Sequence, residues 1–560
     1  NADAQRAQPE AATGEKTHKL VRAQSYMIAA ANPLASEAGN GILAKGGSAI
    51  DATIAAQMVL NLVEPQSSGI GGGAFILHWN EKNKKLRTYD AREAAPMMAR
   101  PDRFYGPDGK RLKFQQAVFS GLSIGVPGLL KGLELAHRKH GKLPWKDLFV
   151  PAIQLAQEGF AVSPRLHQLL QKRGAEQFGP QARAYFFDSS DSPRPVGHQL
   201  KNPAFAEVLK QIAEKGADEF YVGKLASDIV NRVKSIKTIP GDLSLTDMTI
   251  YRAKEREPVC TDYRGSKVCG MGPPSSGALT INYVLKLVEP FDLGSKPLNA
   301  EALHVLAEAQ KLAYADRGRY MADSDFVNVP TGLMDQNYLD SRRQLIDPKN
   351  AMAKASPGEP HGVKKTEFGR DATIESSGTS HISVVDADGN AVSMTTTIES
   401  AFGSRHMVRG FLLNNELTDF SFRYMDDQGR IIANGVQPGK RPRSSMAPTI
   451  VFDENDNVQM VLGSPGGSRI INYVTKVIIA HFNWKMDIQS AVNLANFGSR
   501  NGPFEIENNG DHAGLTGALE TLGQKVSKKP MTSGLHVISR KDSGWLGAAD
   551  PRREGVALGK

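Results

Sequence analysis

The chain changes character abruptly near its middle. From about residue 350 to 376 it reads "AMAKASPGEPHGVKKTEFGRDATIESS", a polar stretch with Pro, Gly and Lys and no periodicity, expected to be flexible and exposed. Directly after it, "HISVVDADGNAVSMTTTI" shows two β-rich runs around an Asp388-Gly389 turn, and "TIVFDENDNVQMVLG" repeats the hairpin form. Upstream, helical patterns dominate. "PLASEAGNGILAKGG" and "SAIDATIAAQMVLNLV" carry apolar residues three or four apart, and "LLKGLELAHRKHG", "LFVPAIQLAQEG" and "AFAEVLKQIAEKG" continue the theme. "AFILHWN" and "KLRTYDARE" look like paired strands there. Two more helices are expected around 277 to 289 and 299 to 315. Downstream of the hairpins, others follow near 469 to 480 and 487 to 497, before the strand "GLHVISR". A helix-rich first part and a strand-rich second part argue for stacked sheets covered by helices. The 560 residues allow two domains or one large unit, and no internal repeat is evident.

The formal charge of +9 is spread along the chain and interleaved with acids, without a basic block or stacking aromatics, so the surface is not that of a nucleic-acid binder. No apolar run approaches the roughly 18 to 20 residues of a membrane helix; "VTKVIIAHFNW" is interrupted by Lys476 and His481. The opening "NADAQRAQPEAATGEK" resembles the polar lead left after removal of a targeting segment. The two cysteines flank a short turn in "EPVCTDYRGSKVCGM". If Arg264 and Gly265 form a two-residue loop, Cys260 and Cys269 stand opposite each other at a non-hydrogen-bonded pair, within reach of a disulfide. That bridge implies an oxidising compartment, a periplasm or the outside of a cell; two reduced strand cysteines are the alternative.

Several motif matches fail their context. "GIGGGA" at 69 to 74 fits a dinucleotide fingerprint but leads into a strand instead of opening a helix. "DADGN" and "DENDN" lack the glycine placement and terminal Glu of a calcium loop. His137 and His140 sit three apart with no H-E-x-x-H around them. "GLSIG" at 121 to 125 matches the nucleophile elbow, with Ser123 as nucleophile, but Pro127 and Gly128 stand where its helix must begin.

The stretch "SSGTSHISVV" at 376 to 385 carries more chemistry. A threonine hydroxyl is a weak nucleophile that its own α-amine can activate once threonine begins a chain. With an ordinary pKa of about 7.7 to 8.0, that amine is a suitable base near neutral pH. The preceding peptide bond must first break, and Gly378 before Thr379 leaves its carbonyl open to attack. Acyl chemistry also needs donors for an oxyanion. "GSPGGSRI" offers consecutive N–H groups from Gly466 and Gly467 at the start of a helical pattern. "KRPRSSMAP" adds the hydroxyls of Ser444 and Ser445, and "NNELTDF" the acids Glu416 and Asp419.

In this order, these residues resemble the γ-glutamyltranspeptidases, also called glutathione hydrolases. The resemblance runs from "PLASEAGNGILAKGGSAIDA" through "DAREAAP", "GVPG", "GPPSSGALT", "GTSHISVVDADGNAVSMTTTI", "LLNNELTDF", "KRPRSSMAPTIV" and "GSPGGSRI" to "ADPRREG". It implies an α+β fold, the four-layer αββα sandwich of N-terminal nucleophile hydrolases, with two stacked antiparallel sheets flanked by helices. It implies a precursor self-cleaved between Gly378 and Thr379 into a large subunit, 1–378, and a small one, 379–560, forming one folded unit. Thr379 would be both autoprocessing residue and nucleophile, supported by Thr397. Arg92, helped by Ser444 and Ser445, would hold the substrate α-carboxylate; Glu416 and Asp419 would hold its ammonium; Gly466 and Gly467 would form the oxyanion hole. The implied substrates are γ-glutamyl compounds such as glutathione, with water or an amino-acid amine as acceptor and no metal or organic cofactor.

Two departures bear on substrate choice. Glu399 stands where the family carries an asparagine near the substrate amino group, so three carboxylates crowd one ammonium unless one is protonated or the pocket is reshaped. The stretches after "AFGS" and between Phe420 and Ser444, the latter holding the family's lid, are shorter than the family pattern. An acylase for glutaryl-type cephalosporin amides in the same fold is the alternative. A reading of another class is an unprocessed homologue that only binds amino acids.

Overall fold

The two β-rich runs about Asp388-Gly389 form an antiparallel hairpin, Gly378–Val385 with Ala391–Glu399. Gly389 takes a left-handed φ of 83°, and the Asp386 carboxylate accepts from the Asp388 and Asn390 N–H groups, which closes the turn. This computed structural model describes residues 12–14, 18–363, 368–371, 373, 375, 376, 378–510 and 512–560. Most of the polar lead, and residues 364–367, 372 and 374 of the polar tract, lie outside the described residues.

The hairpin sits in the middle of a seven-stranded antiparallel sheet. Its order is Val556–Gly559, Met27–Ala30, Gly378–Val385, Ala391–Glu399, Gly73–Asn80, Lys85–Ala91 and Lys254–Arg256. A second seven-stranded antiparallel sheet runs Val21–Ala23, Gly544–Ala549, His536–Lys541, Val458–Gly463, Thr449–Phe452, Ser266–Gly270 and Val259–Tyr263. Each sheet takes strands from both sides of the Gly378–Thr379 bond.

Alternation along the strands separates two cores. Ile28, Ala30, Ala74, Ile76, Ile382 and Val384 face a helical layer that includes Pro33–Ala44, Ala49–Val63 and Leu129–His140. Met27, Ala29, Phe75 and Leu77 face the second sheet. The far side of that sheet is covered by Gly277–Val288 and Ile470–Phe482, with Ala300–Tyr320 packed on the first of these. The layers therefore run helix, sheet, sheet, helix. Between the sheets, the central hairpin presents polar residues: His381, Ser383, Ser393 and Thr395 are all buried. Buried hydroxyls need partners, and here they stitch the sheets together. Ser383 Oγ donates to the His536 carbonyl at 2.9 Å, and Ser393 Oγ to the Leu462 carbonyl at 3.0 Å.

The polar tract is not uniformly exposed, because Ala355, Asp371 and Glu375 are buried. Composition did not reveal this, since the partners of the last two, Arg443 and Arg317, lie far away in sequence. Among the described residues, no helix is long and apolar enough to cross a membrane. At the cysteine hairpin, Arg264 and Gly265 form the loop, both at positive φ, and Cys260 lies opposite Cys269 with Cα atoms 4.1 Å apart and a disulfide between them. Denatured, unreduced protein should therefore show no free thiol. Because the closed loop is short, Cys260→Ser with Cys269→Ser should lower stability by at most about 3 kcal/mol, read as a fall of a few degrees in Tm.

Candidate active site

Thr379 and Thr397 face each other across the hairpin where its register slips: Gly378 pairs with Glu399 but Thr379 with Thr397, leaving Ile398 as an extra residue. The bulge brings a nucleophile and a carbonyl to one hydroxyl. Thr379 Oγ1 donates to Thr397 Oγ1 at 3.2 Å, and Thr397 Oγ1 donates to the Gly378 carbonyl at 2.7 Å. The Glu399 N–H donates to the same Thr397 oxygen at 2.8 Å, which fixes its rotamer. Arg553, from the closing "ADPRREG", donates to the Thr379 carbonyl at 3.2 Å.

Glycines make these approaches possible. A Cβ at Gly378 would stand 2.6 Å from the Glu399 carbonyl oxygen, and one at Gly72 would stand 2.1 Å from that of Thr397. The "GIGGGA" stretch thus lays bare backbone against the strand that carries Thr397. His381 does not join the chemistry. It is buried between the sheets, bonded to Thr395 Oγ1 at 2.9 Å and Ser383 Oγ at 3.0 Å, and burial holds its pKa well below the usual imidazole value.

Thr379 opens onto a small, tightly filled pocket lined among others by Arg92, Thr397, Glu399, Glu416, Asp419, Ser444, Ser445 and Gly467. The sequence-predicted residues therefore converge, except that Gly466 stands one residue behind the lining, at φ 138°. Arg92, at the end of the strand Lys85–Ala91, is fully buried. It donates to Glu416 Oε1, to Asp419 Oδ2 at 2.7 Å, and to the carbonyls of Pro442 and Arg443 at 3.1 and 3.0 Å. Burial disfavours its charge, but Glu416 and Asp419 outweigh that and raise its pKa. In this state the cation expected to hold a substrate carboxylate is engaged by the two acids expected to hold an ammonium.

Glu416 shares a hydrogen bond with the buried carboxyl of Glu93 behind Arg92, whereas Asp419 Oδ1 is buried without a hydrogen-bond partner among the described residues. Burial raises the carboxyls of Glu416 and Asp419 well above the usual range, Glu399 adds to the rise at each, and Arg92 opposes it. Glu399 itself has turned away. It occupies the left-handed region at φ 78°, which asparagine enters more readily than glutamate, at a strain of about 1 to 2 kcal/mol. Its Oε1 accepts from the Ser376 N–H at 2.9 Å, and its Oε2 accepts from Ser400 Oγ at 2.6 Å and from Asn415 Nδ2.

Ser444 and Ser445 divide. Ser444 Oγ accepts from the Met446 N–H at 3.0 Å, whereas Ser445 Oγ accepts from Arg317 at 2.6 Å and donates to Glu375 at 3.0 Å. Arg317, Glu375, Glu93, Asn415, Arg553 and Gly72 were not singled out from the sequence. Glu93 could have been, as the neighbour of Arg92; Arg317 lies in a long buried helix with nothing local to mark it. Ser123 is no nucleophile here: it ends a short 3-10 turn after a helix, and its hydroxyl is engaged with the carbonyls of Val118 and Ser120, both at 2.9 Å. His137 and His140 lie off the pocket, on Leu129–His140, where His140 stacks on His78 at 3.6 Å.

A family model described as Gamma-glutamyltranspeptidase matches residues 35–560. The glutathione hydrolase proenzyme of Bacillus subtilis (strain 168) is 37% identical over 547 residues, covering 95% of this chain and 91% of that protein. Among solved structures, cephalosporin acylase from Bacillus halodurans superposes with a TM-score of 0.83 at 26% identity over 97% of each chain. The gamma-glutamyltranspeptidase of Helicobacter pylori does so with a TM-score of 0.58 at 33% identity, over 63% of this chain and 99% of that one. The αββα layers are those of the N-terminal nucleophile hydrolases. With a threonine pair at a strand bulge, a pocket of buried acids and guanidiniums, and a family match over nearly its whole length, this chain belongs to the gamma-glutamyltranspeptidase family.

Proposed function

We propose that the chain is a self-processing γ-glutamyl hydrolase and transferase. The observation that carries this is the run of hydroxyls from Thr379 Oγ1 through Thr397 Oγ1 to the Gly378 carbonyl. Thr397 donates to the carbonyl that Thr379 would attack, polarising it, while holding the attacking oxygen beside it. Attack forms a bond from Thr379 Oγ1 to the Gly378 carbonyl carbon. The C–N bond to Thr379 breaks, leaving an ester and a free α-amine. Water hydrolyses the ester, giving a large subunit, 1–378, and a small one, 379–560. The two halves would stay together because both sheets are built from strands of each.

In turnover, the new α-amine takes the Thr379 hydroxyl proton as the oxygen attacks a γ-glutamyl amide. The N–H groups of Gly466 and Gly467 receive the oxyanion, and the proton passes to the leaving amine. Water or an acceptor amine then resolves the ester, so that kinetics are ping-pong. Glutathione is the donor suggested by the names of the relatives. The Cys260–Cys269 disulfide supports a periplasmic or secreted location.

The alternative is a glutaryl-type acylase, which the likeness to a cephalosporin acylase supports. Against it stand the buried carboxyls of Glu416 and Asp419, both raised by burial, with Asp419 Oδ1 lacking a hydrogen-bond partner among the described residues. The ammonium of a γ-glutamyl donor would bond these oxygens and favour their charged form, and a glutaryl donor lacks that group.

Glu93, behind Arg92, is pushed up to about 7, chiefly by burial and against the pull of Arg92. Between the unfolded carboxyl's value and 7, the folded state holds a proton that the unfolded state has lost, so stability falls as pH rises through this window.

Five outcomes are expected. Wild-type protein separates into two bands on a denaturing gel; persistence of one full-length band would favour the non-catalytic reading. Thr379→Ala abolishes both cleavage and turnover, and Ser123→Ala spares both. Thr397→Val slows cleavage by about 10²-fold, as loss of an oxyanion donor does elsewhere. A γ-glutamyl anilide is hydrolysed and the glutaryl anilide is not; the reverse preference would establish the acylase. For Glu93→Gln, the Tm of the variant minus that of wild type should increase from pH 5 to pH 8, as calorimetry would show.

A further inference from the structure

One buried acid has no part in the acyl transfer. Glu93, one residue after Arg92, is fully buried in space kept open by glycine: a Cβ at Gly73 would stand 2.4 Å from its Oε2, and one at Gly125 would stand 3.0 Å from its Cβ. Arg92 gives its side-chain hydrogen bonds elsewhere, to Glu416, Asp419 and the carbonyls of Pro442 and Arg443. Among the described residues, no other side chain donates to either Glu93 oxygen or to Glu416 Oε2. What Glu93 meets is the Glu416 carboxyl, and the two share a hydrogen bond. Ionised carboxylates only accept, so that bond requires a proton between them. Two like charges in contact inside a dry site do not both ionise. At Glu93 the proton is held up to about pH 7, chiefly by burial.

The other groups facing this pair leave it no second source of protons. Arg92 stays charged and pulls Glu93 down from the same segment, while Asp419 beside Glu416 and Glu399 on the hairpin strand add negative charge. The Tyr221 hydroxyl donates to the Pro127 carbonyl and the Tyr251 hydroxyl to the Arg92 carbonyl, both at 2.7 Å, and burial raises both phenols, so they stay neutral. Glu416 lines the pocket, and Glu93 stands behind it.

We infer that Glu93 is a positioning residue for the donor's ammonium: it shares one proton with Glu416, and a γ-glutamyl donor displaces that proton to solvent when its ammonium reaches Glu416. The inference rests on the reading of the chain as a γ-glutamyl enzyme. One positive charge enters as another leaves, so the buried group keeps its balance. An acyl group without an ammonium leaves the proton in place. Below about pH 7 the ammonium competes with the proton, so donor affinity falls as pH falls.

The test is calorimetry of L-glutamate binding to processed wild-type protein and to processed Glu93→Gln, in buffers of differing ionisation enthalpy, which counts the protons released. At pH 6.5 wild type should release about half a proton or more per ligand, for a cation that lowers the shared pKa by about 1 to 3 units. Glu93→Gln should release less by about that amount, because its amide donates to Glu416 with no proton to lose. Between pH 7.5 and 5.5 the wild-type Kd should rise about tenfold, and that of Glu93→Gln about threefold or less. The Thr379 α-amine and Asp419 are present in both proteins, so the difference isolates the pair. Wild type that releases no proton at pH 6.5 would overturn the inference. So would equal release by Glu93→Gln, which would put the proton on Asp419. Should thermal melts show that Glu93→Gln does not fold, the wild-type proton count decides alone. Processed wild type that binds no L-glutamate at any pH would instead sink the γ-glutamyl reading.

Discussion

The Thr397 hydroxyl has three partners: it accepts from Thr379 and from the Glu399 N–H, and it donates to the Gly378 carbonyl. That valence is full, so the oxygen cannot turn without losing a bond inside a dry sheet, where an unmade hydrogen bond costs about 1 to 3 kcal/mol. Much of the surrounding architecture serves to hold this one group in place. The hairpin is central in its sheet, with a helical layer on one face and a second sheet on the other. The bulge at Ile398 sets Thr379 against Thr397 while Gly378 reaches Glu399. Behind the strand, Gly72 lets a neighbouring loop touch the Thr397 carbonyl without a side chain intervening.

Around this hydroxyl the pocket is a balance of buried charges. One group gathers Arg92 with Glu93, Glu416 and Asp419; the other gathers Arg317 and Arg443 with Asp371 and Glu375. Taking such ions out of water costs several kcal/mol each, and their mutual attraction offsets that only when every charge has a partner. In the first group three acids share one guanidinium, and the raised values at Glu93, Glu416 and Asp419 mean that it retains a proton near neutral pH. In the second, two guanidiniums face two acids, and Glu375 is one of them.

The three carboxylates expected to crowd one ammonium line the same pocket and repel one another, but each is engaged by the chain itself. Glu416 and Asp419 have turned onto Arg92, and Glu399 onto Ser376, Ser400 and Asn415. The left-handed backbone at Glu399 directs that carboxylate toward the segment ahead of Thr379. A substitution that looked in sequence like an excess charge is accommodated by a local change of partners.

The elements around the site were legible in the chain because each is a short-range signal. Gly378 before Thr379, the Asp388-Gly389 turn, the alternation of the flanking runs and the cysteine pair across Arg264-Gly265 all follow from the period of a strand and the chemistry of a turn. The strands Met27–Ala30 and Val556–Gly559 went unseen, since a strand buried on both faces loses its alternation or is too short to display it. Glu375 read as part of a loose polar tract, and Arg317 as one charge in a helix. Sequence by itself determined which residues could do acyl chemistry, because a nucleophile, its preceding glycine and the donor turn are local patterns. Only the tertiary structure decided which acid faces which guanidinium, because ion pairing in a buried pocket depends on distances between residues far apart in the chain.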